Sequence, residues 1–187
     1  MDNGFVINVT AIDRPGIVAG VSSAIVRLHG NIESCSQTVL DGYFTLIMTF
    51  TVPLEQRTPE ELRRMILSEH GLEGCQAILF PAKPLDVFPR TENSNIYVIT
   101  AFGKDCKGIV AQFTRYLGDK EINIVDLFGN ITPEGEFSLI AEVEVSPKLD
   151  LQVIQLDLEA MGEQIGFTVR IQHNNVFVAT NNINLER

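Results

Sequence analysis

The chain repeats itself. Val9 to Ala19 reads V-T-A-I-D-R-P-G-I-V-A and Ile99 to Ala111 reads I-T-A-F-G-K-D-C-K-G-I-V-A, so Gly-Ile-Val-Ala recurs at Gly16 and Gly108. Asn31-Ile32 returns as Asn123-Ile124 at the same separation as the glycines, 92 residues (123 − 31 and 108 − 16). Phe-Thr-Leu-Ile from Phe44 returns as Phe-Ser-Leu-Ile from Phe137. Matches in one order with small gaps mark a duplicated domain, which constrains the fold more than any single motif. Aligned this way, the second copy carries two extra residues in the loop before its helix.

Each copy reads as βαββαβ. Phe5 to Ile12 is β-rich, and Ile17, Val21, Ile25 and Leu28 then recur at helical spacing. Gly30 is expected to end that helix through a left-handed cap. Ile32 to Leu40 reads as a strand and Asp41-Gly42 as a hairpin turn. In the next strand Phe44, Leu46, Met48, Phe50 and Val52 alternate with polar or exposed neighbours, so one face is buried. Thr58, Pro59 and Glu61 form a capping box for a second helix, and a last strand follows from about Gly74 to Phe80. The second copy repeats the order: strands near Asn95 to Phe102, Ile122 to Ile131, Phe137 to Ser146 and Phe167 to His173, with helices over Gly108 to Lys120 and Asp150 to Gln164.

Units of this order fold as a four-stranded antiparallel sheet with both helices on one face. The fold class expected is therefore α+β, two tandem ferredoxin-like domains over residues 1–83 and 95–173. Residues 84–94, proline-bearing and polar, read as a linker. In the tail, 174–187, Val176 to Ala179 reads equally as a short helix or an added strand. The strand from Ile32 to Leu40 has no strongly apolar face, so it belongs at a sheet edge. A bare edge invites pairing with another domain or another chain.

Composition narrows the partners. A hydrophobic share of 45% with 20% charged residues is that of a globular protein. No apolar run approaches a membrane span, and the N-terminus lacks a basic region followed by an apolar core, so neither membrane nor secretory signal is expected. A net charge of −10 disfavours direct nucleic-acid binding, which relies on Lys and Arg against phosphate. Three unpaired cysteines, Cys35, Cys75 and Cys106, suit a reducing compartment, and the cytoplasm is expected.

The chemistry-bearing residues cluster where the first strand of each copy meets its helix. A helix N-terminus presents free N–H groups and a partial positive charge, suited to a carboxylate. Gly16 and Gly108 let a ligand approach the backbone. Asp13 can take an ammonium group, and Asn31 or Asn123 offers both donor and acceptor to a zwitterion. The plainer readings stand beside these. Asp13 can cap the helix with Pro15 in its first turn, Asn31 and Asn123 can shape a turn, and the loop of the second copy can be wholly structural.

The stretch Asp13-Arg14-Pro15-Gly16-Ile17-Val18, followed by a helix and Gly30-Asn31-Ile32, resembles the ACT domain. With Gly42-Tyr-Phe-Thr-Leu-Ile-Met48 it is most similar to the glycine cleavage system transcriptional repressor group, whose members also consist of two ACT domains. The resemblance implies regulation by a small ligand, first an amino acid, held where two ACT domains meet. It implies contacts from Asp13, Arg14, Pro15, Gly16, Ile17 and Asn31 in the first copy, and from Lys107, Gly108, Ile109 and Asn123 in the second. Each site would join one copy's loop to the other's Asn, with Asp13 to Ile17 and Asn123 the favoured pair. Ala11 stands where some amino-acid-binding members carry His. A partner protein would receive the signal, and a homodimer is compatible with the pairing; the alternative is a ligand-free assembly module.

Catalytic signatures are missing from the sequence. His29 and His70 sit at expected helix ends and His173 closes a strand, with no Cys/His spacing for zinc, so no metal or cofactor is expected. No nucleophile elbow, phosphate loop or dinucleotide fingerprint occurs, and a non-enzymatic protein is expected. An RNA-recognition module shares the βαββαβ order, but Tyr43 and Tyr97, the candidate stacking residues, have no basic neighbours.

Overall fold

A computed structural model describes residues 3–53, 57–82 and 95–181, and the chain divides into two compact units, Met1–Asp86 and Val87–Arg187. The expected linker, 84–94, and the boundary at 83 lie outside the described residues. Unit 1 comprises β1 (Asn3–Ile12), α1 (Ile17–Arg27), β2 (Asn31–Leu40), β3 (Tyr43–Val52), α2 (Pro59–Leu67) and β4 (Gln76–Pro81). Unit 2 comprises β5 (Asn95–Lys104), α3 (Ile109–Asp119), β6 (Asn123–Ile131), β7 (Glu136–Val145), α4 (Leu151–Ile165), β8 (Phe167–His173) and α5 (Asn174–Asn181). The sheets run β2-β3-β1-β4 and β6-β7-β5-β8, with every neighbouring pair antiparallel. This is the tandem ferredoxin-like α+β fold that the repeat implies, with β2 and β6 at sheet edges.

Register corrects the repeat alignment. In unit 1 Val9 pairs with Leu46, and in unit 2 Ala101 pairs with Leu139. Those leucines are the matched residues of Phe-Thr-Leu-Ile and Phe-Ser-Leu-Ile, so Val9 corresponds to Ala101, 92 positions on, rather than to Ile99. The loop before the helix has no insertion; the Val-Thr-Ala and Ile-Thr-Ala match is two residues out of step. Any alternating strand tolerates such a slip in sequence, whereas in the sheet an odd slip would reverse every face.

The period-two pattern of β3 buries Phe44, Leu46, Met48, Phe50 and Val52 beneath the helices. Phe5, Ile7 and Val9 of β1 join them, with Phe5 stacked on Phe50 at 5.9 Å. From the other side come Ile17, Val21 and Ile25 of α1 and Leu62 and Ile66 of α2. Unit 2 builds its own core from Ile99, Ala101, Phe113, Leu139, Val143, Ile154 and Leu158.

Local signals explain most boundaries. Thr58 accepts from the Glu61 N–H while the Glu61 carboxylate accepts from the Thr58 N–H, completing the capping box. Asp150 caps α4 through Gln152. Asp41 and Gly42 both adopt positive φ, 50° and 80°, as a primed hairpin turn requires. The end of α1 differs from expectation: the left-handed residue is His29 (φ 55°), and Glu121 does the same after α3 (φ 56°). Gly30 is needed for its size instead, because a Cβ there would lie 2.7 Å from the Thr51 carbonyl oxygen.

The face of each sheet turned away from α1–α2 or α3–α4 follows from register. In unit 1 it carries Val6, Asn8, Thr10 and Ile12 of β1, the odd-numbered residues Tyr43 to Thr51 of β3, Ser34, Ser36, Thr38 and Leu40 of β2, and Gln76, Ile78 and Phe80 of β4. None is charged; the one charge of β2, Glu33, is the extra residue of a bulge between Ile32 and Ser34. In unit 2 the same face carries Lys104, Asp126, Glu136, Glu142, Glu144 and Arg170. It also carries a lid: the tail forms α5, which folds back against β5 and β8. Phe177 of α5 is buried, and so is Val98 of β5, which the register with Glu142 and Gln172 places on this otherwise open face.

Candidate functional site

The loop between β1 and α1 is built by one backbone hydrogen bond and one left-handed glycine. The Asp13 N–H donates to the Gly42 carbonyl at 2.8 Å, tying the end of β1 to the β2–β3 turn. Unit 2 repeats the bond between Asp105 N–H and the Gly135 carbonyl at 3.0 Å. Gly16 (φ 101°) and Gly108 (φ 89°) then turn the chain into the helices. That region of backbone space is strained for residues with a Cβ, which is why glycine recurs there. The space beside both glycines is open: nothing lies within 4 Å of where a Cβ would be.

Neither helix has a side-chain cap at this end. Asp13 therefore does not cap α1, and Pro15 precedes Gly16 outside the helix, so both structural roles expected for them are corrected. Ile17 and Ile109 are buried in the two cores, leaving only their backbone at the loop. Asp13, Pro15 and Lys107 are exposed.

Arg14 is held elsewhere. Its Nη2 donates to the carbonyls of Gly71 at 3.1 Å and Glu73 at 2.6 Å and lies 3.6 Å from the Cys75 Sγ. The guanidinium thus fastens the β1–α1 loop to the segment between α2 and β4. Arg27 and Glu69 form a second tie between α1 and that segment. Cys106 occupies the corresponding position in unit 2, half-buried against its core, so the fastening is peculiar to unit 1. The partners of Arg14 lie 57 and 59 residues away, with no local pattern to announce them.

Asn31 and Asn123 are exposed at the starts of β2 and β6. Asn31 pairs with Thr51, and Thr51 with Gly4, whereas the loop leaves β1 after Ile12. At about 3.3 Å per residue the two features stand at opposite ends of one sheet, roughly 25 Å apart. One unit does not bring its own Asp13–Ile17 turn and its own Asn31 together. The Asn123 register with Glu144 repeats the arrangement in unit 2.

Other polar features are structural. Tyr116 on α3 donates to Asp157 on α4 at 2.8 Å, and Lys120 reaches the same carboxylate at 3.7 Å. Burial first, then the bond to Asp157, push the phenol above its ordinary range, so it stays a neutral donor. Tyr97 faces the helix side of its sheet and packs edge-on against His173 at 5.3 Å, which removes it as a stacking platform. A hollow of about 380 Å³ flanks α2 between Arg57, Glu61, Arg64, Met65 and Ser68, away from the loop. Among the described residues no His, Cys, Asp and Glu group is arranged to hold a metal, and no helix is long and apolar enough to cross a membrane.

Two ferredoxin-like units, each with a left-handed glycine at an uncapped first helix, define the chain as a tandem of a regulatory-type α+β module. It belongs to the ACT domain family, whose profile matches residues 3–73 and 95–172. A UPF0237 protein of Methanococcus maripaludis is 38% identical over 81 residues, covering 43% of this chain and 89% of that protein, so the relative corresponds in size to one unit. A Galdieria sulphuraria protein of unknown function superposes with a TM-score of 0.74 at 24% identity, covering 92% of this chain and 99% of that one. A candidate glycine cleavage system transcriptional repressor superposes with a TM-score of 0.61 at 18% identity, covering 93% and 99%. Both structural likenesses extend through the tandem fold.

Proposed function

We propose that this chain is a non-catalytic regulatory protein that senses an amino acid or a related small zwitterion and passes the signal to a partner protein. The observation that carries the reading is a division among the helices. The second helix of each unit is capped by a side chain, Thr58 or Asp150, and the first helix of each is not. Uncapped first-turn N–H groups behind Gly16 and Gly108 suit a carboxylate, which would accept from them. Asp13 would take the ammonium group. Asn31 or Asn123 would complete the site from a second ACT domain, since one sheet holds the loop and the Asn at opposite ends. Arg14 would act through the loop it fastens rather than by touching ligand.

A structural likeness to a candidate glycine cleavage repressor makes transcription one setting for such a sensor. At a net charge of −10, action on transcription would run through a protein rather than through direct DNA contact. The bare edge of β2, exposed along almost its whole length, favours a second reading, assembly without ligand.

Thermal unfolding against the common amino acids at millimolar concentration tests the first reading. A ligand at one hundred times its Kd stabilises by about 2.7 kcal/mol. The stabilising compound should lose its effect in Asp13→Asn, with the unliganded midpoint unchanged. Absence of any response would leave assembly as the function; in that case Asp13 and Asn31 variants would alter oligomeric state alone.

A further inference from the structure

We infer that the open face of the unit 1 sheet is a self-association surface, and that its occupant is the same face of a second copy of this chain. The face carries exposed Ile12, Leu40, Tyr43, Ile47, Ile78 and Phe80 among uncharged hydroxyl and amide side chains. Scattered surface hydrophobics are ordinary; a whole sheet face without one charge, in a chain with 20% charged residues, is not.

Three observations select the occupant. The corresponding face in unit 2 is partly covered by α5, which buries Phe177 and Val98, so this fold covers that face where its own sequence provides the means. Charge supplies the second. Two chains of net charge −10 repel, and contact between them is least costly where neither presents a charge. The unit 2 face, with Asp126, Glu136, Glu142 and Glu144 against Lys104 and Arg170, is net negative and would repel itself in a self-contact; the unit 1 face would not. It equally offers nothing to attract a strongly charged partner. Size is the third. Strands of 10, 10, 10 and 6 residues present roughly 600 Å² per copy, or roughly 1,200 Å² in total, the lower bound of a stable specific interface. Sheets packed face to face about a two-fold axis would interdigitate Ile47 and Ile78 with the Thr and Ser methyl and hydroxyl groups between them.

Sedimentation equilibrium of the full chain tests this. The unaltered protein should be dimeric at micromolar concentration. Ile47→Lys and Ile78→Lys replace exposed side chains, so the fold of each unit should hold, while each weakens the dimer by about a hundredfold or more. Val39→Lys, on the opposite face of β2, should leave the dimer intact. A chain that is monomeric at about 100 μM, or a dimer that survives both isoleucine substitutions, would overturn the inference. Dissociation by Val39→Lys alone would assign the contact to the β2 edge and overturn it too.

Discussion

Unit 1 and unit 2 share one βαββαβ backbone plan, to which unit 2 adds α5, and differ most on the faces their helices leave open. In unit 2 that face is charged and half-covered by α5; in unit 1 it is neutral and bare. Their loops differ in the opposite sense. Unit 1 fastens its β1–α1 turn with Arg14, and unit 2 puts Cys106 there and leaves the turn to its backbone bond with Gly135. After duplication the core positions stayed interchangeable, because apolar packing asks only for shape and volume. Divergence went to the surfaces, where the units could take on separate roles. One became a charged, partly covered support, the other a contact face with a stiffened turn.

The comparison is most exposed to attack at the α5 lid. Phe177→Ala should destabilise unit 2 by about 3 kcal/mol, since a buried Phe loses its transfer energy and leaves a cavity. Hydrogen exchange should accelerate in β5 and β8 and not in unit 1. A loss below about 0.5 kcal/mol, the size of an ordinary surface change, would mean that the lid is incidental and the two faces are alike. Next in size is the fastening of the other unit. Arg14→Ala should cost about 1–2 kcal/mol, because two carbonyls lose a charged donor and solvent recovers part of the loss. Exchange should rise at Gly71 to Cys75; the matching Cys106→Ala should leave the loop of unit 2 protected.

Much of this architecture is legible in the sequence, for identifiable reasons. The alternation of β3, the capping box at Thr58 and the Asp41-Gly42 turn are local, and each is encoded within a few residues. What local patterns miss is anything set by register. Val9 and Ile99 look equivalent because neighbouring strand residues are interchangeable in composition, and only the partners of Leu46 and Leu139 reveal the slip. The left-handed exit falls at His29, as at Glu121 in unit 2, while Gly30 answers to the nearness of Thr51, another strand's carbonyl. The neutrality of the unit 1 face is likewise spread over four strands and becomes visible once they are paired. In the candidate site, the glycines and Asn residues are legible by repetition, whereas Arg14 is committed by distant carbonyls.

The capped helices offer the finest test. Thr58→Ala should cost about 1 kcal/mol, and Asp150→Ala slightly less, because α4 has no reciprocal bond from its third residue. Hydrogen bonds from the Thr58 backbone, then its hydroxyl, hold the Glu61 carboxyl below its ordinary value of 4.5. A carboxylate whose folded pKa is depressed stabilises above the unfolded value, and that support is lost as pH falls through the folded pKa. Unit 1 should therefore weaken below about pH 4.5 with a contribution that Thr58→Ala reduces, because the hydroxyl is lost while the residue 58 N–H remains. Exchange rates in α2, followed across that range in both proteins, would show the two curves converging in acid. Smallest is Gly118→Ala near the end of α3, where nothing lies within 4 Å of the added methyl. It should stabilise unit 2 by roughly 0.5 kcal/mol through helix propensity alone. At Gly162, in α4 of the same unit, the same substitution should destabilise, because the methyl would lie 2.5 Å from the Val169 Cγ2. If both substitutions shifted stability in the same direction, packing against β8 would not be what separates these two helices.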